Sequence, residues 1–114
     1  MLTERLREGL RAAIKARDRV AVTALRSALA AIENAEAVEV SGAARRGLAI
    51  EESATLGGTE VQRRVLTEAD VTGIVDAEIT DQEAAARTYA TVGQADRADL
   101  LLAEAAVLRG YLDG

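Results

Sequence analysis

The sequence predicts an all-α protein in which two N-terminal helices pack on a long antiparallel helical hairpin. Two observations carry this prediction. Apolar residues recur at helical spacing over residues 1–37 and again over 67–114, and the stretch between them contains four glycines. The chain has no proline, so nothing forces a helix in either segment to break. With 114 residues, it is expected to form one domain.

The composition limits both the core and the chemistry. Twenty-five residues are alanine and 28 are leucine, isoleucine or valine, so we expect a modest core built by close approach of helices. Cysteine, histidine, tryptophan and phenylalanine are absent. Their absence excludes disulfides, thiolate or imidazole metal sites, Ser-His and Cys-His catalysis, and aromatic platforms for stacking bases. The residues therefore predict no catalytic group, no cofactor and no metal.

Residues 1–37 are predicted to form a pair of helices. The first helix has an apolar stripe with a four-residue spacing, formed by Leu2, Leu6, Leu10 and Ile14. Asp18 is suited to cap the second helix, because its carboxylate can accept a hydrogen bond from an unpaired backbone N–H. The second helix has an apolar stripe formed by Leu25, Leu29 and Ile32, and we expect it to continue to about Ala37.

Residues 38–66 are predicted to form a glycine-containing linker. Gly42 and Gly47 interrupt the pattern early, Gly57 and Gly58 interrupt it later, and no helical period is apparent. A linker of this length is unusual inside a compact domain, which indicates either mobility or a task of its own. Its two β-prone pieces, 38–40 and 48–50, offer an alternative in which they pair as a hairpin.

Residues 67–114 are predicted to form the helical hairpin. Thr67 and Asp70 match a variant of the capping box that opens a helix, and Gly93 is suited to the left-handed position that ends it. The inner face of this third helix is predicted to contain Val71, Ile74, Val75, Ile79, Ala85, Tyr89 and Val92. A fourth helix is expected over about 95–112, with an inner seam of Leu101, Ala105, Leu108 and Leu112.

The charge is distributed unevenly along the chain. The net charge is −5, but residues 1–34 carry +3 and residues 67–114 carry −7. Only the N-terminal third therefore offers a cationic patch of the kind that phosphate contacts need. Arg7, Arg11 and Lys15 follow one another at four-residue spacing on the outward side of the first helix. They are either a row that contacts phosphates or a solvated face whose aliphatic stems cover apolar surface.

One carboxylate falls on a face that is otherwise apolar. Glu78, together with Gln82, projects into the inner face of the third helix, where an unpaired charge is costly. Arg26, at the edge of the second helix's apolar stripe, is the nearest partner by sequence logic. We therefore predict an Arg26–Glu78 ion pair that joins the N-terminal helices to the hairpin. A catalytic role for Glu78 is the alternative, but no second catalytic group accompanies it.

Several segments resemble the N-terminal helical domain of YqeY-like proteins, which belong to the GatB/YqeY family. The resembling segments are 2–8 (LTERLRE), 13–18 (AIKARD), 24–36 (ALRSALAAIENAE), 66–71 (LTEADV), Glu78-Ile79, Tyr89-x-x-x-Gly93, Arg97-Ala98 and 104–112 (EAxxLxxYL). They cover both helical segments and omit the predicted linker. The chain differs from the family where basic residues usually follow Glu78-Ile79, and it ends near the point where most members continue into a second small helical domain.

The resemblance implies a function connected with tRNA-dependent amidotransferase, a carbon–nitrogen ligase that uses glutamine as amido donor. It implies an accessory helical module that binds tRNA or a translation-related protein and is not itself catalytic. The alternative is a helical module for protein–protein interaction or self-association into a homo-oligomer, with no nucleic-acid role. No apolar run long enough for a signal peptide or membrane span is present, so a cytoplasmic location without membrane contact is expected.

Overall fold

The computed structural model describes the backbone of residues 1–47 and 65–114 and the side chains of residues 1–37 and 65–114. Within those ranges the chain forms four helices and no strand. They are α1 (Leu2–Ala16), α2 (Arg19–Gly47), α3 (Glu68–Thr91) and α4 (Ala95–Asp113). The prediction of an all-α protein is confirmed. None of these helices is long and apolar enough to cross a membrane.

The α1–α2 turn consists of two residues that cap both helices. Arg17 adopts the left-handed conformation, with φ 59° and ψ 36°. The amide of Arg17 donates to the carbonyl of Ile14 (3.1 Å) and the amide of Asp18 donates to the carbonyl of Ala13 (3.0 Å). This is a Schellman ending with arginine at the position that glycine usually occupies. As predicted, Asp18 caps α2, since its Oδ1 accepts from the amide of Ala21 at 3.1 Å.

The hairpin begins and turns where the sequence predicts. Thr67 Oγ1 accepts from the amide of Asp70 (3.0 Å), and Asp70 Oδ2 accepts from the amide of Thr67 (2.9 Å), which completes the capping box. α3 then spans 24 residues, or about 36 Å. The turn that follows contains Gly93, whose φ of 79° is left-handed. The amide of Gln94 donates back to the carbonyl of Tyr89 at 2.9 Å. Both helix–helix turns therefore use the same backbone device.

α2 is longer than predicted. It continues to Gly47, so residues 38–47 are helical and the prediction that a linker begins at residue 38 is wrong. The β-hairpin alternative fails for its first piece, 38–40, for the same reason. One interior glycine such as Gly42 costs a helix only about 1 kcal/mol, and no proline stops the helix there. The rest of the predicted linker, from 48 to 64, lies outside the described residues.

The core is formed where α2 meets the hairpin. α3 and α4 share the largest interface, α2 packs against both, and α1 packs mainly against α2. Its largest fully buried side chains are Leu6, Leu25, Val75, Ile79 and Leu108. Two polar contacts fix α1 to the hairpin. The amide of Leu2 donates to Glu68 Oε2 at 2.8 Å, and Arg5 Nη2 donates to the carbonyl of Tyr111 at 2.7 Å.

Two residues predicted to be inward-facing are exposed. Ile14 is 49% exposed and Val92 is 63% exposed, whereas Ala13 is buried on α1. A four-residue step advances 400° around a helix, so each step along the predicted stripe rotates the side chain a further 40° or so away from the core. By Ile14 the rotation has brought the side chain to the surface. Val92 follows the last residue of α3 and lies next to the turn. The last buried residue of α3 is Ala86, so Val92 lies beyond the buried part of the helix.

Candidate nucleic-acid interface

The predicted basic row lies on the exposed side of α1. Arg7, Arg11 and Lys15 are all exposed, as expected for either interpretation of the row. Among the described residues the ion pairs are Met1 amino group–Glu4, at 4.0 Å, and Arg109–Glu83, at 2.9 Å, so none of the three row cations is neutralised by an acid. Like charges at this spacing cost a few tenths of a kcal/mol per pair. The row is a solvated cationic face.

A second group of cations surrounds an open concavity at the α1–α2 turn, which we call the turn concavity. Its volume is about 480 Å³, and its lining consists of Ile14, Arg17, Arg19, Val22, Thr23 and Arg26. No carboxylate is part of this lining. Asp18 lies between two of the arginines in sequence, but its Oδ1 is engaged as the cap of α2. The three guanidinium groups are exposed and form no ion pair with any described residue.

Six cations that form no ion pair with a described residue therefore lie on one unit of the fold, α1 and the first two turns of α2. We call them the cationic surface: Arg7, Arg11, Lys15, Arg17, Arg19 and Arg26. The sequence pattern predicts the row on α1, but it does not indicate that Arg17 and Arg19 belong to the same cationic surface. The sequence feature that could have indicated these two residues is the net charge of +3 over residues 1–34. The helical pattern does not show in which direction the side chains of a two-residue turn point.

The predicted Arg26–Glu78 ion pair is not formed. Arg26 is exposed and lines the turn concavity, and neither residue belongs to an ion pair within the described part of the chain. Glu78 is half-buried on α3. Burial raises the pKa of its carboxyl above the ordinary value, and the neighbouring charge of Asp81 raises it further, with no cation acting in the opposite direction.

The arginines of the hairpin are mostly engaged. Arg109 Nη2 lies 2.9 Å from Glu83 Oε2. Arg97 Nη1 donates to the hydroxyl of Tyr89 at 3.3 Å, and its guanidinium lies 5.4 Å from the centre of that ring. Arg87 remains exposed with no ion pair among the described residues. With a net charge of −7 over residues 67–114, the hairpin repels phosphate and the cationic surface attracts it.

Two polar side chains are buried in the hairpin without a partner. Gln82 is 7% exposed, and its Oε1 is buried with no hydrogen bond. Glu104 is equally buried, and burial raises the pKa of its carboxyl above the ordinary value. An unsatisfied buried polar group costs about 1–3 kcal/mol. The unsatisfied Oε1 of Gln82 therefore reduces the stability of the hairpin. No group of three or more metal-ligating side chains that could hold an ion occurs in the part of the chain that the structure describes.

The outer face of the hairpin has an open groove of about 310 Å³ near the α3–α4 turn. Its lining consists of four alanines, one leucine and three charged residues. The apolar members are Ala86, Ala90, Ala95, Ala98 and Leu102. Leu102 is 47% exposed. The groove could accept an apolar segment of another molecule.

Searches of protein-family models, of curated proteins and of solved structures found no match to this chain.

Proposed function

We propose that this chain is a non-catalytic helical module that binds nucleic acid through the cationic surface. The observation that carries the proposal is the concentration of six exposed cations, none paired with an acid in the described part of the chain, on α1 and the start of α2, although the net charge of the chain is negative. Binding by such a surface is driven by release of counterions from phosphates. The resemblance to YqeY-like proteins suggests tRNA as the nucleic acid and an accessory role beside the glutamine-dependent tRNA amidotransferase.

Two further observations support a binding role over a catalytic one. The chain includes no cysteine or histidine, and no hydrogen bond joins the half-buried Glu78 or the buried Glu104 to another described side chain. Amide transfer needs a nucleophile or ammonia channel and a site for an activated carboxyl. The cationic surface offers neither, but it does offer six exposed charges for phosphate contacts.

The experiment is a salt-titrated binding assay with unfractionated tRNA. Arg11→Gln on the cationic surface is compared with Arg87→Gln on the hairpin, because both substitutions remove one exposed arginine and change the net charge equally. We expect Arg11→Gln to weaken binding and to reduce the slope of log K against log salt by about one. Arg87→Gln should leave the slope unchanged. Equal effects of the two variants, or no binding at low salt, would contradict the proposal.

A protein-interaction function is the second candidate, and the hairpin groove favours it. Leu102 lies in that groove with nearly half of its side chain exposed, and Leu100 is 48% exposed on the same helix. An exposed leucine in an alanine-lined groove is typical of a surface that another helix covers. Light scattering tests it: a dimer that Leu102→Gln dissociates would support self-association, and a monomer at millimolar concentration would argue against it.

A further inference from the structure

We propose that the turn concavity binds a phosphate monoester, either at the 5′ end of an RNA or on a free nucleotide. The proposal names a ligand class for one part of the cationic surface, and in its RNA form it rests on the proposed function. In its nucleotide form it stands on the geometry of the turn concavity alone.

Three arginines line the turn concavity from different points of the backbone. Arg17 is the C-terminal cap residue of α1, Arg19 is the first residue of α2, and Arg26 lies two turns further along the same helix. All three line a single open space of about 480 Å³. Each guanidinium presents a planar set of donors that matches phosphate oxygens in pairs. Three forks around one space can surround a single group, whereas the row on α1 presents its charges one after another.

The charge of the turn concavity favours a dianion over an internal phosphodiester. Three cations line it and no carboxylate does, and they outnumber the one negative charge of Asp18, which caps α2 nearby. An internal phosphodiester carries one negative charge, whereas a terminal phosphate carries about 1.5 to 2 at neutral pH. A terminal phosphate of an RNA therefore neutralises more of the positive charge of the turn concavity than an internal phosphate does. The row on α1 has no such preference, because its charges follow one another along a helix.

The apolar part of the lining suits the nucleoside that carries the phosphate. Ile14 is 49% exposed and Val22 is half-buried, so a patch of aliphatic surface lies among the arginines. Covering this patch with a sugar or a base removes apolar area from water, which inorganic phosphate cannot do. The hydroxyl of Thr23, in the same lining, is available as an additional donor.

The backbone at Arg17 gives the site a testable signature. Its φ of 59° lies in the left-handed region, where a side chain costs more than glycine does. Substitution by glycine should relieve that cost and remove one of the three guanidinium groups. We therefore expect Arg17→Gly to raise the urea midpoint of unfolding while weakening phosphate binding. A loss of binding caused by unfolding would instead lower the midpoint.

The test compares two RNA oligonucleotides of the same sequence, one with a 5′-phosphate and one with a 5′-hydroxyl, together with adenosine 5′-monophosphate and adenosine. Fluorescence anisotropy follows the oligonucleotides, and amide chemical shifts follow the nucleotides. We expect the 5′-phosphorylated RNA to bind about five- to tenfold tighter than the hydroxyl form. Arg26→Gln and Arg17→Gly should abolish this ratio, whereas Arg11→Gln should weaken both forms equally.

The outcomes separate this proposal from the proposed function. Equal binding of the two oligonucleotides, with adenosine 5′-monophosphate no better than adenosine, would overturn the phosphate site and leave nucleic-acid binding intact. Binding of the monophosphate at residues 14–26 without any RNA binding would support the site and refute the proposed function. Preference for the 5′-phosphate that survives Arg26→Gln and Arg17→Gly would also overturn the site, because the phosphate would then lie elsewhere.

Discussion

Gly9 and Tyr111 provide a direct test of how α1 meets the end of α4. A Cβ atom placed on Gly9 would lie 1.8 Å from the Tyr111 hydroxyl oxygen and 2.7 Å from Cζ of the ring. Non-bonded heavy atoms prefer about 3.5–4.0 Å, so the Gly9→Ala substitution forces the ring to retreat by roughly 1.5–2 Å. The ring also contacts Arg5, whose guanidinium lies 5.8 Å from its centre.

Two opposing terms decide the stability of Gly9→Ala. Overpacking of this kind costs typically about 1–3 kcal/mol. Alanine in place of glycine inside a helix contributes about 1 kcal/mol of stability, and Gly9 lies in the middle of α1. We therefore expect Gly9→Ala to lower the free energy of unfolding by about 0–2 kcal/mol. In a Tyr111→Ala background the obstructing ring is absent, and the same substitution should raise the free energy of unfolding by up to about 1 kcal/mol.

Urea denaturation of the four proteins in this double-mutant cycle measures the coupling directly. The expected coupling energy is about 1–3 kcal/mol, and the sign of the Gly9→Ala effect should change between the two backgrounds. A coupling below about 0.5 kcal/mol would refute the reasoning. It would mean that Tyr111 does not pack on Gly9 and that α4 does not end against α1.

Two further predictions concern the buried polar groups of the hairpin. Burial raises the pKa of Glu104, so the native state holds more protons and the free energy of unfolding falls as pH rises from about 4.5 through the raised value. In pH-dependent denaturation, Glu104→Gln should reduce the fall in the free energy of unfolding with pH. The matched Glu8→Gln on the exposed side of α1 should not reduce it. If Glu104→Gln leaves the pH dependence of the free energy of unfolding unchanged, the raised pKa of Glu104 is contradicted. Gln82→Met removes the unsatisfied Oε1 and should raise the free energy of unfolding by about 1 kcal/mol; a loss of similar size would show that the amide has a partner in solution.

The parts of the fold that depend on short-range chemistry could be predicted from the sequence. The caps at Asp18 and Thr67 and the left-handed Gly93 follow from side chains that satisfy backbone groups a few residues away. The end of α2 could not be predicted in this way. Gly42 reduces helix stability by only about 1 kcal/mol, and a pattern of residue types does not show whether neighbouring helical residues compensate.

The candidate site was predicted less completely, because its geometry depends on rotation about the helix axes. Arg26 is adjacent to Leu25, which is 1% exposed, yet it lines the turn concavity and forms no ion pair with Glu78. The exposed position of Ile14 beside the arginines has the same origin, since a four-residue spacing drifts around the helix. The cationic row needed no such information. Its members were predicted to be outward-facing, and the structure places all of them at the surface.

The most direct test of the central claim is to map where RNA touches the protein, using backbone amide chemical shifts of the full chain titrated with unfractionated tRNA at low salt. The account predicts perturbations concentrated between Arg7 and Arg26, with little change around the hairpin groove near Arg87 and Leu102. Perturbations centred on α3 and α4, or a spectrum that stays unchanged as tRNA is added, would contradict it.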